Sequence, residues 1–296
     1  MTSVFEEECK NKSPRRPPVA VFAVGKYGTR ELTFDADLDV LFIGDRTGRK
    51  RSDKFEKVAT GMIQILSNVS SRGRLYDVDA RLRPEGRSAP LVVDKQAYEV
   101  YLKERASLWE RQSLTRMRFV CGDAVLAEDV ARTVASFVYE TPLPSGWADQ
   151  IVAMRRKVET RSRTHAPELH DVKLGPGGMV DIEFIAQMIQ MKFGGQIPSM
   201  RFMPTTDVLE AVPSSVLTGE QADFLKLTYE SYRRIELMMR LALEERSTLL
   251  PAGDSLELLA RILGVLGGEE LHNQVTANMR AVRSHFLQIA RILASN

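Results

Sequence analysis

Hydrophobic and polar positions follow two regimes along the chain. Up to about residue 93 the apolar runs are short and of strand length. Beyond it they recur at steps of three and four. Residues 19–24 form a continuous apolar run, which predicts a buried strand. A second strand is expected over 38–43. It is entered through Asp35-Ala36-Asp37-Leu38-Asp39, where acids alternate with apolar residues. A period of two would put Asp35, Asp37 and Asp39 on one face, with Ala36, Leu38 and Val40 beneath. Residues 55–69 have amphipathic helical spacing, and a third strand is expected over 75–82. There Tyr76, Val78, Ala80 and Leu82 alternate with Asp77, Asp79, Arg81 and Arg83, and Pro84-Glu85-Gly86 ends the run. A short strand at 91–93 closes this part.

Helices are expected at 95–105, 107–119, 123–139, 147–164, 179–193, 220–245 and 268–294. The last two carry the stripes Leu225, Tyr229, Tyr232, Ile235, Met239, Ala242 and Leu271, Val275, Met279, Val282, Phe286, Ile289. Such stripes read as bundle core. The fold class is therefore α+β. It comprises a flexible lead-in at 1–18, rich in Pro and Arg at its end, a small mixed-sheet α/β core at 19–93 and an all-α helical bundle at 94–296.

Composition narrows the options. Of the residues, 44% are hydrophobic and 27% charged, as in a globular protein, and no run approaches the roughly eighteen apolar residues of a membrane span. The N-terminus lacks an apolar secretory region, and two cysteines make no disulfide framework, so a cytoplasmic protein is expected. Forty-one basic against 39 acidic residues leave a net charge of +2. That balance, with no basic stripe interleaved with aromatics, argues against a nucleic-acid partner. Four scattered histidines offer no zinc spacing.

Three features of the α/β part carry chemistry. A buried strand ends at Gly25-Lys26-Tyr27-Gly28, the next strand holds Asp37-x-Asp39, and a later one holds Asp79 with Arg81 and Arg83 on the same face. Like charges on one strand face repel, and clustered carboxylate oxygens suit a hard cation such as Mg²⁺. The alternative is an Asp-rich turn before an ordinary strand. If the strands are neighbours, carboxylates with a basic rim suit two Mg²⁺ ions gripping a triphosphate. Glycines at the strand end would let backbone amides approach phosphate.

These features resemble the nucleotidyltransferase fold related to DNA polymerase β. Several longer motifs resemble glutamine synthetase adenylyltransferases more closely. They are Gly25-Lys26-Tyr27-Gly28-Thr29-Arg30-Glu31-Leu32 followed by Asp37-Leu38-Asp39, and Val78-Asp79-Ala80-Arg81-Leu82-Arg83-Pro84-Glu85-Gly86. Trp109-Glu110-Arg111-Gln112 with Gly122-Asp123, and Lys173-Leu174-Gly175-Pro176-Gly177-Gly178-Met179-Val180-Asp181-Ile182-Glu183-Phe184, complete the set. Thr29 stands where the family has a second glycine, and Asp35 and Ala36 where it has small hydroxyl residues.

The resemblance implies transfer of AMP from ATP to a tyrosine of glutamine synthetase, with pyrophosphate released. Its alternatives are phosphorolytic removal of that AMP, or a truncated, non-catalytic regulatory paralogue. The family carries two tandem catalytic copies, and a chain of this length has room for one; a second catalytic half and a PII-type regulatory protein are then expected partners. By position, Asp37, Asp39 and Asp79 would bind Mg²⁺ and serve catalysis. Gly25, Lys26 and Gly28 would cradle the ATP phosphates, or form an ordinary turn. Arg81 and Arg83 would neutralise pyrophosphate, or pair with Asp77 and Glu85. Trp109 and Glu110 are either a nucleotide contact or a core Trp with a capping Glu. Residues 173–178 either reach over the active site or shape the start of the following helix.

Overall fold

The computed structural model describes residues 18–45, 52–70, 73–74, 76–162 and 170–295. Nearly all of the expected lead-in, and Leu75 of the third strand, lie outside them. The chain divides into two compact units, Met1–Thr141 and Pro142–Asn296. This division falls downstream of the expected 93/94 boundary, because a strand beyond residue 94 returns to the sheet.

In the first unit β1 (Val19–Ala23) is followed by the single helical turn α1 (Gly25–Gly28) and β2 (Leu38–Gly44). Then come α2 (Ser52–Ser67), a two-residue hairpin β3 (Val69–Ser70) and β4 (Gly73–Arg74), β5 (Val78–Asp79) and β6 (Val92–Asp94). The unit ends with α3 (Lys95–Glu104), α4 (Leu108–Leu114), β7 (Arg118–Gly122), α5 (Ala124–Ala135) and a π-helical turn, Ser136–Glu140. The sheet order is β5-β2-β1-β7, with β6 also paired to β2. One edge of β2 runs antiparallel to β1. The other is parallel to β5 at Leu38–Asp39 and to β6 at Phe42–Gly44. Leu38, Val40 and Phe42 pack with Phe55, Ala59 and Met62 of α2, and each such large apolar side chain contributes about 1.5–3 kcal/mol on full burial.

The structure corrects several expectations. Asp35 is not on the strand face. It sits in a turn at φ +57°, a left-handed conformation that Asp tolerates better than most residues, and the ladder begins only at Leu38. The third strand shrinks to Val78–Asp79. Beyond it the Arg83 guanidinium binds the carbonyls of Ala80 and Ala89 and folds the chain into a loop. The helix expected to 119 stops at Leu114, because residues 118–122 pair with β1 as β7.

The second unit is helical: α6 (Trp147–Ser162), α7 (Met179–Phe193), α8 (Thr205–Ala211), α9 (Gly219–Ala242), α10 (Gly253–Leu263) and α11 (Gly268–Ser295). The stripes on α9 and α11 are buried as expected, except Ala242, which is exposed at the α9 end. Helix α7 is buried on nearly all sides, so its polar residues need partners. Asp181, fully buried, receives Arg155 Nε at 2.5 Å, the Gly177 amide at 2.8 Å and Arg283 at 3.1 Å. Arg155 also donates to the carbonyls of Leu174 and Gly175 at 2.9 and 2.8 Å. Residues 173–178 build the start of α7 and are also tied to α9, through Lys173 to Glu236 at 2.9 Å and the Tyr232 hydroxyl donating to the Gly177 carbonyl at 3.2 Å.

Candidate active site

The ladder between β2 and β5 sets the centre of the site. Asp39 pairs with Asp79, and the Leu38 amide donates to the Asp77 carbonyl at 2.8 Å. A parallel pair in register puts residues 39 and 79 next to each other on neighbouring strands at the C-terminal limit of β5. Asp37, one step ahead of β2, lines an open cleft of about 380 Å³ together with Asp77, Asp79, Arg81 and Arg83. Asp39 does not line that cleft. It is half-buried and abuts the turn that follows β1.

That turn is built for close approach. The Val24 amide donates to the Asp39 carbonyl at 3.0 Å, and Gly25 then takes φ +56°. A β-carbon on Gly25 would stand 2.5 Å from Asp39 Oδ2, and one on Gly28 only 1.6 Å from the Arg116 carbonyl oxygen. Both glycines are therefore required, Gly25 by conformation and space and Gly28 by space. The Lys26 carbonyl accepts the Glu31 amide at 2.8 Å and the Thr29 hydroxyl at 3.5 Å, while the Thr29 amide closes the turn on Gly25 O at 3.4 Å. Thr29, where the family resemblance led us to expect glycine, is buried and serves as the turn's cap.

Arg81 is the cation that faces the carboxylates. Its backbone amide donates to Asp79 Oδ1 at 2.8 Å, its Nε bridges both Asp79 oxygens at 2.9 and 2.7 Å, and its terminal nitrogen also bonds Oδ2. The guanidinium holds its proton more tightly than usual, first through the hydrogen bonds and charge of Asp79, then through the charges of Asp37 and Asp39. Among the described residues no three Asp, Glu, His or Cys side chains converge closely enough to hold a metal ion. Gathering Asp37, Asp39 and Asp79 about a cation therefore needs side-chain rotation and release of Arg81 from Asp79. The donor set, the carboxylates of Asp37 and Asp79 on the cleft with Asp39 in register beside Asp79, fits a hard divalent ion.

The other expected site residues divide. Arg83 lines the cleft, but its bonds to Ala80 O and Ala89 O (the latter 3.1 Å) commit it to shaping the loop. Glu85 pairs with Arg105 at 2.9 Å rather than with Arg83. Glu110 is a capping residue: it accepts from the Ser107 amide and hydroxyl at 2.9 and 2.8 Å, and from Tyr101 at 2.6 Å. Trp109 is half exposed and so is not a core residue. Sequence reasoning missed Arg116, just ahead of β7, and Arg118, its first residue, which contact the Gly25–Gly28 turn. A strand so short, next to a helix, leaves no periodic signal.

The family described as Glutamate-ammonia ligase adenylyltransferase matches residues 1–133, and the one described as GlnD PII-uridylyltransferase matches residues 152–293. The chain is 34% identical, over 255 residues, to a bifunctional glutamine synthetase adenylyltransferase/adenylyl-removing enzyme of Streptomyces avermitilis, a match covering 83% of this chain and 25% of that protein. Enzymes of the same description from Thioalkalivibrio sulfidiphilus and Cutibacterium acnes are 30% and 31% identical, over 95% and 94% of this chain and 30% and 29% of theirs. The chain thus spans a quarter to three tenths of the length of these curated relatives. The chain belongs to the glutamate-ammonia ligase adenylyltransferase family.

Proposed function

We propose that this chain is a Mg²⁺-dependent adenylyltransferase that moves AMP from ATP to a tyrosine of glutamine synthetase and releases pyrophosphate. The observation that carries the reading is the parallel register of Asp39 with Asp79, with Asp37 in the adjoining cleft and the Gly25 turn packed against Asp39.

Asp37, Asp39 and Asp79 are the side chains that would hold Mg²⁺, two ions in this reading. When bound, Mg²⁺ neutralises triphosphate charge and lowers the pKa of a coordinated hydroxyl. That matters for a phenol, whose ordinary pKa of about 10 leaves it protonated at neutral pH. Arg81 can leave Asp79 and meet the departing pyrophosphate, because guanidinium binds phosphate oxygens bidentately. Backbone amides at the start of the turn would approach phosphate at Gly25, where no β-carbon intervenes, with Lys26 adding a positive charge, while the Gly28 amide is held by the Val24 carbonyl at 3.0 Å. Arg83 supports the loop that carries Arg81.

Incubation with labelled ATP, Mg²⁺ and glutamine synthetase tests this. Label should pass to the synthetase with the wild type and not with Asp37→Asn; absent transfer, or equal transfer by the variant, overturns the reading. The second activity in the relatives' name favours one alternative, phosphorolytic removal of AMP, which adenylylated synthetase and phosphate would reveal as ADP. A PII-type protein as regulator is supported by the match of the helical unit to the uridylyltransferase family. The proposed setting is cytoplasmic; separately, no helix among the described residues is long and apolar enough to cross a membrane.

A further inference from the structure

We infer that Arg118 is a positioning residue for the Gly25–Gly28 turn, holding it by the carbonyls of Tyr27 and Gly28; this rests on reading that turn as the phosphate cradle. Arg118 opens β7 directly opposite Ala23, the last residue of β1 before the turn. The register slips between Val21 and Phe22, leaving Val120 as an extra residue on β7. Such a bulge re-aims the side chains that follow it along the ladder. The Arg118 guanidinium donates through Nε to the Gly28 carbonyl at 2.8 Å and through a terminal nitrogen to the Tyr27 carbonyl at 2.9 Å. Its Cζ lies 5.5 Å from the centre of the Tyr27 ring.

The start of β7 therefore grips the end of the turn twice, by the guanidinium of residue 118 and by the carbonyl of residue 116 that excludes a β-carbon at Gly28. At its other end the turn abuts the Asp39 carboxylate through Gly25. A shift of the turn must break one of these contacts or the other. Arg118 so couples a strand some ninety residues downstream to the spacing between phosphate amides and metal carboxylates. Arg30 provides a control, since it lies near enough for its charge to oppose that of Arg118, yet its side chain is exposed.

The test is equilibrium binding of a non-hydrolysable ATP analogue with Mg²⁺, alongside steady-state transfer, for wild type, Arg118→Ala, Arg118→Lys and Arg30→Ala. Arg118→Ala should weaken analogue binding and raise KM for ATP about tenfold, the scale of one lost charge-assisted contact, with a smaller change in kcat. Arg118→Lys should fall between it and the wild type, and Arg30→Ala should stay close to the wild type. Amide exchange at residues 25–28 should quicken in Arg118→Ala while that of α5 is unchanged. Should the alanine variant not fold, an intermediate loss in the lysine variant supports the inference and wild-type affinity overturns it. Unchanged binding in Arg118→Ala, or an equal loss in Arg30→Ala, sinks the role of Arg118 alone. A wild type that binds no analogue sinks the phosphate-cradle reading with it.

Discussion

The Asp39 carboxylate occupies the space that a side chain on Gly25 would need: a β-carbon there would lie 2.5 Å from Oδ2. Strand β2 and the turn after β1 are thus in contact through an acid and a glycine. Gly25→Ala should push Asp39 aside and also strain a backbone at φ +56°, at a cost of about 1–2 kcal/mol. We expect the variant to fold with a lowered Tm and to lose at least about tenfold in kcat/KM for ATP, as displaced reacting groups do. Thermal unfolding and transfer kinetics on one preparation check both parts.

Asp39→Asn and Asp79→Asn should each lower Mg²⁺-dependent transfer by about a hundredfold or more, since each removes a hard oxygen charge from the register pair. Added Mg²⁺ should recover part of the loss, and chelation should abolish activity in all variants. Mg²⁺ titration of the transfer rate reads this directly.

In the helical unit, Arg155→Ala would leave Asp181 buried and short of its principal partner. Breaking a buried pair in this way costs about 3–5 kcal/mol. The urea midpoint should fall accordingly.

Tyr101 predicts an alkaline limit. Burial, then its hydrogen bond to Glu110, pushes its pKa up to about 12. The unfolded phenol titrates near about 10. The folded form therefore keeps its proton longer, so this contribution is complete below about pH 10 and is lost as pH rises through about 12. Tyr101→Phe should flatten that decline and, at neutral pH, lose about 1 kcal/mol with the Glu110 bond. Denaturant unfolding across this range measures both.

The elements legible in the sequence were those whose burial is written in a local period. The stripes of α9 and α11, the apolar run of β1 and the acid-flanked β2 are of this kind. Two of the four motifs carry Asp37, Asp39 and Asp79, and the structure puts these residues one step ahead of β2, on β2 and on β5. Three features were not legible, each because a distant partner decides it. Residues 118–122 become a strand only by pairing with β1, across a bulge that breaks their alternation. Asp35 leaves the strand pattern through a turn that period two cannot express. Arg83 faces outward in the alternating pattern, yet is spent on two carbonyls of its own loop. Helices α8 and α10 were overlooked for another reason. Pro204 ahead of Thr205 marks the start of the first, and Leu256, Leu259, Ala260 and Leu263 are spaced for the second.

The shared edge of β2 has a consequence for how this family member can diversify. Strands β5 and β6 dock on the same side of β2, so residues 80–91 leave the sheet beside Asp39 and rejoin it at Phe42. Two anchor points three β2 residues apart are about 10 Å apart. The segment between them is a cassette: its length and side chains can be exchanged while both ends stay fixed to one strand. Arg81 lies on that cassette and Asp39 and Asp79 at its base, so the loop can change while the register that sets the two acids stays the same.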